Sequence, residues 1–460
     1  MLTQIERLRT RSNDGEPRGM RFIDVEGLAK ALRSSLDGEV RFDNGSRALY
    51  ATDGSNYRQV PIGVVIPRTI DDVVTSVSLC RQFGAPVLSR GGGTSLAGQT
   101  CNVAVVMDFS KFVNRLLELD PLHQRARVQP GLVLDHLRDA AERYHLTFAP
   151  DPSTHNHCTL GGMIGNNSCG VHSVMGGVTA DNVMELDVLT YDGTRLRVGP
   201  TSPDELARRL ASGGRQGQIY RDLKTFTETY GQEIRTHYPD IPRRVSGYNL
   251  PALLPENGFH VARALVGSES TCVTVLEATL RLVHSPTVRS LVVLGYPDVY
   301  TAGDHIMEVM AHHPIGLEGM DDRLVEDMVK MRIHPSQVKL LPEGRGWLLV
   351  EFGGETKEEA DGRARQLMDA LKSQLHAPSM KLFDDPKAEG TIWEIRKSGL
   401  GATAHVPGQR VTWEGWEDSS VPPEKLGHYL RALRTLFEKY QYGCSLYGHF
   451  GQGCVHTRID

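Results

Sequence analysis

The sequence predicts an α+β protein built in two parts, and three observations carry that prediction. Residues 64–90 read as a strand, a helix and a second strand, a β-α-β unit that delivers a glycine-rich loop. Residues 183–198 alternate about Asp192-Gly193, which is a hairpin signal. Beyond His284-Ser-Pro the pattern becomes strand, helix, strand repeatedly, as in an α+β sandwich with helices on one face. At 460 residues the chain is long enough for two or three domains, each with its own core.

The elements come in this order. A helix is expected over 25–36, then a turn-rich stretch from Tyr50 to Tyr57, so that residues 1–56 form an N-terminal helical lead-in. The helix at 69–83 opens on Thr69, a side chain that caps free N–H groups, and ends at Gly84. A strand over 103–108 and an amphipathic helix over 133–143 come next. The glycine- and asparagine-rich stretch 151–177 is too long to be an idle connection. A polar helical insert over 202–245 and a strand over 273–283 complete the first part, 57–283. The second part, 284–460, holds strands at 291–295 and 348–351 and helices at 300–312 and 357–375.

Composition narrows the function classes. With 40% hydrophobic and 23% charged residues the chain is ordinarily globular, and its net charge of -5 gives no overall basic field for nucleic acid. No apolar run reaches the length of a transmembrane span and the amino terminus lacks a signal-peptide core, so the default location is the cytoplasm. The seven cysteines are scattered without a Cys-x-x-Cys pair, so no iron-sulfur cluster or zinc knuckle is encoded here.

The stretch Pro86-Val-Leu-Ser-Arg-Gly-Gly-Gly-Thr-Ser-Leu-Ala-Gly-Gln99 lacks the Gly-Lys-Ser/Thr of a Walker loop and the helix that must come directly after a Rossmann fingerprint. What remains is either a surface turn or an anion nest of open backbone N–H groups beside Arg90, Thr94 and Ser95. A second cluster, Asp151 to Gly170, would let backbone approach a flat ligand, with Ser153, Thr159, Asn166 and Ser168 as hydrogen-bonding groups. Together the two clusters resemble the FAD-binding domain of the p-cresol methylhydroxylase and vanillyl-alcohol oxidase superfamily. The resemblance implies FAD, with Ser89, Arg90, Gly91, Gly92, Gly93, Thr94, Ser95 and Gly98 around the pyrophosphate. It places Pro150, Asp151, Ser153, Thr159, Gly161, Gly162, Asn166, Ser168 and Gly170 along the flavin and ribityl chain, and Glu269 and Val275 at a third segment. In that segment, Gly267-Ser-Glu-Ser-Thr-Cys272, Ser270 stands where the family usually has glycine. Thr94 occupies the position from which histidine commonly links flavin covalently, so no histidyl linkage is expected; His155 and His157 read as loop hydrogen-bonders.

Near the end lies Tyr447-Gly-His-Phe-Gly-Gln-Gly-Cys-Val-His456. If its segments are extended, a spacing of seven puts the two histidines on opposite faces, so a shared metal requires a turn at 451–453; unrelated histidines are the plainer alternative. The segment is similar to the Gly-His-x-Gly-x-Gly-x-x-His motif of FAD-linked D-2-hydroxyacid dehydrogenases. That resemblance implies His449 and His456 as ligands of a divalent metal, zinc first, and as catalytic residues. It also makes Arg396, in Trp393-Glu-Ile-Arg396, the clamp on a substrate carboxylate, and the stretch from Glu417 to Pro423 matches the family's next segment after that arginine.

Family members continue into a Gly-Glu-His-Gly segment carrying a further ligand and a base, which is absent from these 460 residues. The expectation is therefore the amino-terminal part of a longer enzyme resembling bacterial forms fused to an iron-sulfur module, with a ferredoxin-like cap domain cut short. The implied reaction oxidises a small D-2-hydroxy acid, D-2-hydroxyglutarate ahead of D-lactate, and passes electrons to a quinone, an electron-transfer protein or an iron-sulfur module. No nucleic-acid partner is expected, and assembly into a homo-oligomer stays open. The alternative is an FAD-binding scaffold without turnover.

Overall fold

The computed structural model describes residues 23–413 and 418–460. The first 22 residues of the expected lead-in, and Glu417 of the matched segment, lie outside them. Thr69 and Asp72 form a reciprocal capping box at the start of helix Ile70–Phe83, and Gly84 ends it at φ 72°. The strands on either side, Gly63–Ile66 and Val87–Arg90, both run parallel to Val105–Asp108, which lies between them. Helix Val25–Ser35 buries Leu28 and Leu32 in the same core as Val65, Val73 and Val77, so it packs as part of this unit.

Beside it an antiparallel five-stranded sheet runs in the order Leu116–Asp120, Arg125–Val128, Thr274–Arg281, Val183–Leu189, Arg195–Val198. The last two strands are the expected hairpin, turning at Gly193 with φ 89°. Helices Pro203–Ala211 and Gly214–His237 make up the polar insert. The stretch at 151–177 is less irregular than its composition implies, because it contains the helices Leu160–Asn166 and Ser173–Gly176.

The second part is an antiparallel seven-stranded sheet. Its order is Ser379–Phe383, Val288–Tyr296, Gly346–Gly354, Gly316–Asp321, Cys444–Gly448, Cys454–Ile459, Asp418–Ser420. Helices cover both faces, not one. Val292, Leu294, Leu348 and Val350 meet the core of Leu367, Leu371 and Leu430, while Leu291, Val293 and Leu349 meet that of Leu324, Met328 and Ile392. The continuous apolar run Trp347 to Val350 is the sequence mark of a strand buried on both sides. The helix expected over 300–312 is two short ones, Val299–Asp304 and Ile306–Met310. They break at His305, whose ring stacks on Tyr296 at 5.1 Å.

Candidate active site

Where the strand Val87–Arg90 ends, its loop meets the second glycine cluster, and the contact is tight enough to explain the glycines. A Cβ on Gly91 would lie 2.0 Å from Thr159 Oγ1, and one on Gly92 would lie 2.3 Å from the His157 carbonyl oxygen. The Arg90 guanidinium donates to the carbonyls of Tyr50, Thr52 and Thr100, so it pins the base of the loop. Among the described residues, the amides of 91–96 donate no hydrogen bond within the chain. Such a run of open N–H groups is the nest that an anion needs.

The loop borders an open cleft lined by both glycine clusters and the third segment. Of the residues expected to bind cofactor, Ser89, Arg90, Gly91, Ser95, Thr159, Gly161, Gly162, Asn166, Glu269 and Val275 line it. Ser89 Oγ is buried there without a partner, a polar atom awaiting one. Gly92, Gly93, Thr94, Gly98, Pro150, Asp151, Ser153, Ser168 and Gly170 do not line it. Several shape it instead: Gly93 and Gly98 turn the loop at φ 67° and 78°, and a Cβ on Gly170 would meet the Asp151 carbonyl oxygen at 2.2 Å. His155 pairs with Asp135 and His157 with Asn156, both as loop hydrogen-bonders. Phe109, Pro130, Ile164 and Leu265 also line the cleft, and as lone apolar residues they carried no signal in the sequence.

At the third segment Glu269 and Ser270 take φ of 49° and 60°. Glycine occupies that region freely and serine does not, which accounts for the usual glycine at position 270. The Glu269 carboxyl is pushed up by burial and accepts from Gln99 Nε2 at 3.4 Å.

The Asp151 carboxylate points away from the cleft to His172, which spans the two parts of the chain. Its Nδ1 lies 2.5 Å from Asp151 Oδ2 and its Nε2 lies 2.6 Å from Glu351 Oε2. Trp393 Nε1 donates to the other oxygen of Glu351 at 3.0 Å. Burial opposes a charge on the ring, but the two carboxylates outweigh it and raise the His172 pKa to about 9.

From this bridge the backbone leads to the histidine pair. Strands Cys444–Gly448 and Cys454–Ile459 form a hairpin, and the turn Phe450–Gln452 with Gly453 at φ 69° reverses the chain. That turn brings the His449 and His456 Nε2 atoms to 3.3 Å. Each ring is held from behind by a carboxylate: His449 Nδ1 by Glu318 Oε1 at 2.7 Å, and His456 Nδ1 by Asp418. Fixing Nδ1 as the proton carrier leaves the lone pairs on the converging Nε2 atoms, which is the donor arrangement of a metal ligand pair. Burial first, then the charges of Arg243, His456 and Arg396, hold His449 neutral far below the usual histidine range. The thiol of Cys454 is buried nearby with its pKa raised to about 12, and Asp418, Cys454 and His456 offer ligand atoms within 4.8 Å of one another.

Arg396 Nη2 lies 2.6 Å from Glu318 Oε2, and its guanidinium stacks over Tyr447 with Cζ 4.9 Å from the ring centre. Thus the three side chains expected at this end, His449, His456 and Arg396, come together about Glu318. Glu318, Asp418 and Arg243 are the additions that the sequence reading missed. For Glu318 a signal existed, an acidic residue inside the fully buried strand Gly316–Asp321.

Two family models match the chain: an FAD binding domain over 61–199 and the C-terminal domain of FAD linked oxidases over 285–460. A D-2-hydroxyglutarate dehydrogenase of Pseudomonas putida is 31% identical over 93% of this chain and 44% of its own length. The glycolate oxidase subunit GlcD of Bacillus subtilis is 28% identical over 92% of this chain and 78% of its own. The chain therefore spans less than half the length of the D-2-hydroxyglutarate dehydrogenases it matches. Among solved structures, p-cresol methylhydroxylase with substrate bound superposes with a TM-score of 0.64 at 12% identity, over 95% of this chain and 82% of its own. The chain thus carries an FAD binding domain followed by the C-terminal domain of FAD linked oxidases, on a fold it shares with p-cresol methylhydroxylase.

Proposed function

We propose that the chain is the flavin-bearing part of a D-2-hydroxyacid dehydrogenase, with D-2-hydroxyglutarate the first substrate and D-lactate the next. The observation that carries this reading is the His449–His456 pair, two converging lone pairs backed by carboxylates. In this reading residues 57–283 form the FAD domain and 284–460 the substrate domain.

FAD, held without a histidyl linkage by the open amides of 91–96 and by the cleft-lining side chains, would supply a two-electron acceptor. His449 and His456 would hold a divalent cation, zinc first, which would supply Lewis acidity toward a hydroxyl and a carboxylate. The donor set suits such an ion: His449 is held neutral and both Nδ1 atoms are already engaged. Arg396 would present its planar donors to the carboxylate, with Glu318 and the Tyr447 ring fixing the guanidinium plane. Strands buried on both faces keep water from this end of the sheet, which strengthens each of these contacts. Electrons would leave to a quinone, an electron-transfer protein or an iron-sulfur module, in the cytoplasm.

The test is spectroscopic. Purified protein saturated with FAD is mixed anaerobically with D-2-hydroxyglutarate or D-lactate, and the expected result is bleaching of the flavin band. A bound flavin that responds to neither acid sinks the dehydrogenase reading in favour of a binding scaffold.

A further inference from the structure

A second buried guanidinium lies beside the turn that carries the histidine pair, on the FAD-domain side. Arg243 lies between helix Gly214–His237 and the short 3-10 helix Leu250–Leu253, and it is only 4% exposed. Its Nη1 donates to Gln452 Oε1 at 3.1 Å. Gln452 closes the turn between His449 and His456; its backbone N–H donates to the His449 carbonyl at 3.0 Å and its side-chain amide to the Ser173 carbonyl at 3.0 Å. So Arg243 stands directly behind the turn that presents both rings.

Its environment lacks a counter-charge in contact. Gln452 is neutral, Arg243 Nε is buried without a partner, and among the described residues no carboxylate lies within 4.0 Å of the guanidinium. Arg396 is different, since its Nη2 already lies against a carboxylate oxygen of Glu318. A permanently charged group taken out of water without an ion-pair partner is costly to the fold and fits a place where an anion arrives from outside.

We propose that Arg243 is a specificity-determining residue that receives the second carboxylate of a dicarboxylic 2-hydroxy acid. The inference rests on the dehydrogenase reading above. One carboxylate and the 2-hydroxyl go to Arg396 and the histidine pair, and the distal carboxylate reaches across to the FAD-domain side. A monocarboxylic acid such as D-lactate has nothing to offer Arg243.

The experiment measures the affinity of the FAD-loaded protein for D-2-hydroxyglutarate and for D-lactate, by calorimetry and by perturbation of the flavin spectrum, in wild type, Arg243→Gln and Arg243→Lys. Loss of a charge-assisted contact predicts that Arg243→Gln weakens D-2-hydroxyglutarate about 100-fold and D-lactate by no more than about threefold. Arg243→Lys, which keeps the charge in the buried position, should fall between. Equal weakening of both acids, or unchanged D-2-hydroxyglutarate affinity, overturns the assignment while leaving the dehydrogenase reading intact. If Arg243→Gln loses its flavin, the Arg243→Lys protein decides: selective loss of D-2-hydroxyglutarate supports the assignment and parallel loss overturns it. Wild-type protein that holds FAD but binds neither acid overturns the dehydrogenase reading, and this inference with it.

Discussion

The cofactor cleft and the histidine centre are built from opposite materials. At the cleft, glycines at 91 and 92 leave room for neighbouring segments, and the amides of 91–96 donate no hydrogen bond within the chain among the described residues. The histidine centre is made of charged side chains, Glu318, Asp418, Arg243 and Arg396, drawn from distant segments around two rings. Damage should differ accordingly: a methyl group ruins the first, and the second loses its chemistry while its shape survives.

The largest expected effect on FAD binding is at Gly92. Gly92→Val would drive a side chain into the His157 carbonyl, part the two glycine segments and weaken FAD binding by more than about 100-fold, or about 3 kcal/mol, in a flavin titration. A variant that keeps its yellow colour and its affinity would show that loop contact does not shape the cleft. Next, His172→Ala leaves Asp151 and Glu351 buried without their shared cation and should cost about 3–5 kcal/mol in denaturant unfolding. Flavin retention should suffer as well, since Asp151 braces the second glycine cluster.

The same bridge sets a pH dependence. His172 is raised to about 9, so its contribution is fully present below about 6.5 and is lost as pH climbs toward 9. Glu389, pushed up to about 8 chiefly by burial and then by Glu351, lowers stability steadily as pH rises from about 4.5 to about 8, because its ionised form is disfavoured in the fold. Asp151 and Glu351 are held low despite their burial, chiefly by His172, with Arg289 also near Glu351. Their contribution is present above about pH 4 and fades in acid. Thermal stability should therefore peak near pH 5, and His172→Gln should flatten the decline above about pH 6.5; an unchanged slope there would put its origin elsewhere.

His449→Ala sharpens the comparison from the other side. Flavin content should stay at the wild-type level while binding of cobalt(II), followed by its visible absorption, is lost. Equal cobalt uptake in the variant would remove His449 from the ligand set. The smallest effect is at Ser270, where glycine relieves a left-handed backbone; Ser270→Gly should stabilise the protein by about 1 kcal/mol, read as a rise in Tm.

The same contrast explains what could be read from the chain. Gly91 to Gly93, the capped helix after Thr69 and the hairpin at Gly193 are local demands, written where they act. Seven residues with glycines between them foretold that the histidines could meet only through a turn, and the turn is there. Their partners were hidden because Glu318 lies 131 residues from His449, and Gln452 lies 209 from Arg243. No periodicity links positions so far apart. The break at His305 was equally hidden, since apolar spacing runs through it and only the stacking on Tyr296 marks the interruption. Helices on both faces of the second sheet could have been foreseen from Trp347 to Val350, which does not alternate.

The hairpin that pairs Tyr447 with His456 carries an evolutionary consequence. Side chains on a strand swap faces with each single step, so one residue inserted between 449 and 456 would either distort the turn or rotate His456 to the far side of the sheet. This segment can exchange one apolar residue for another at Phe450 or Val455, both in the core, more readily than it can change its length. In lineages that inherit it, gaps should be rarer here than substitutions.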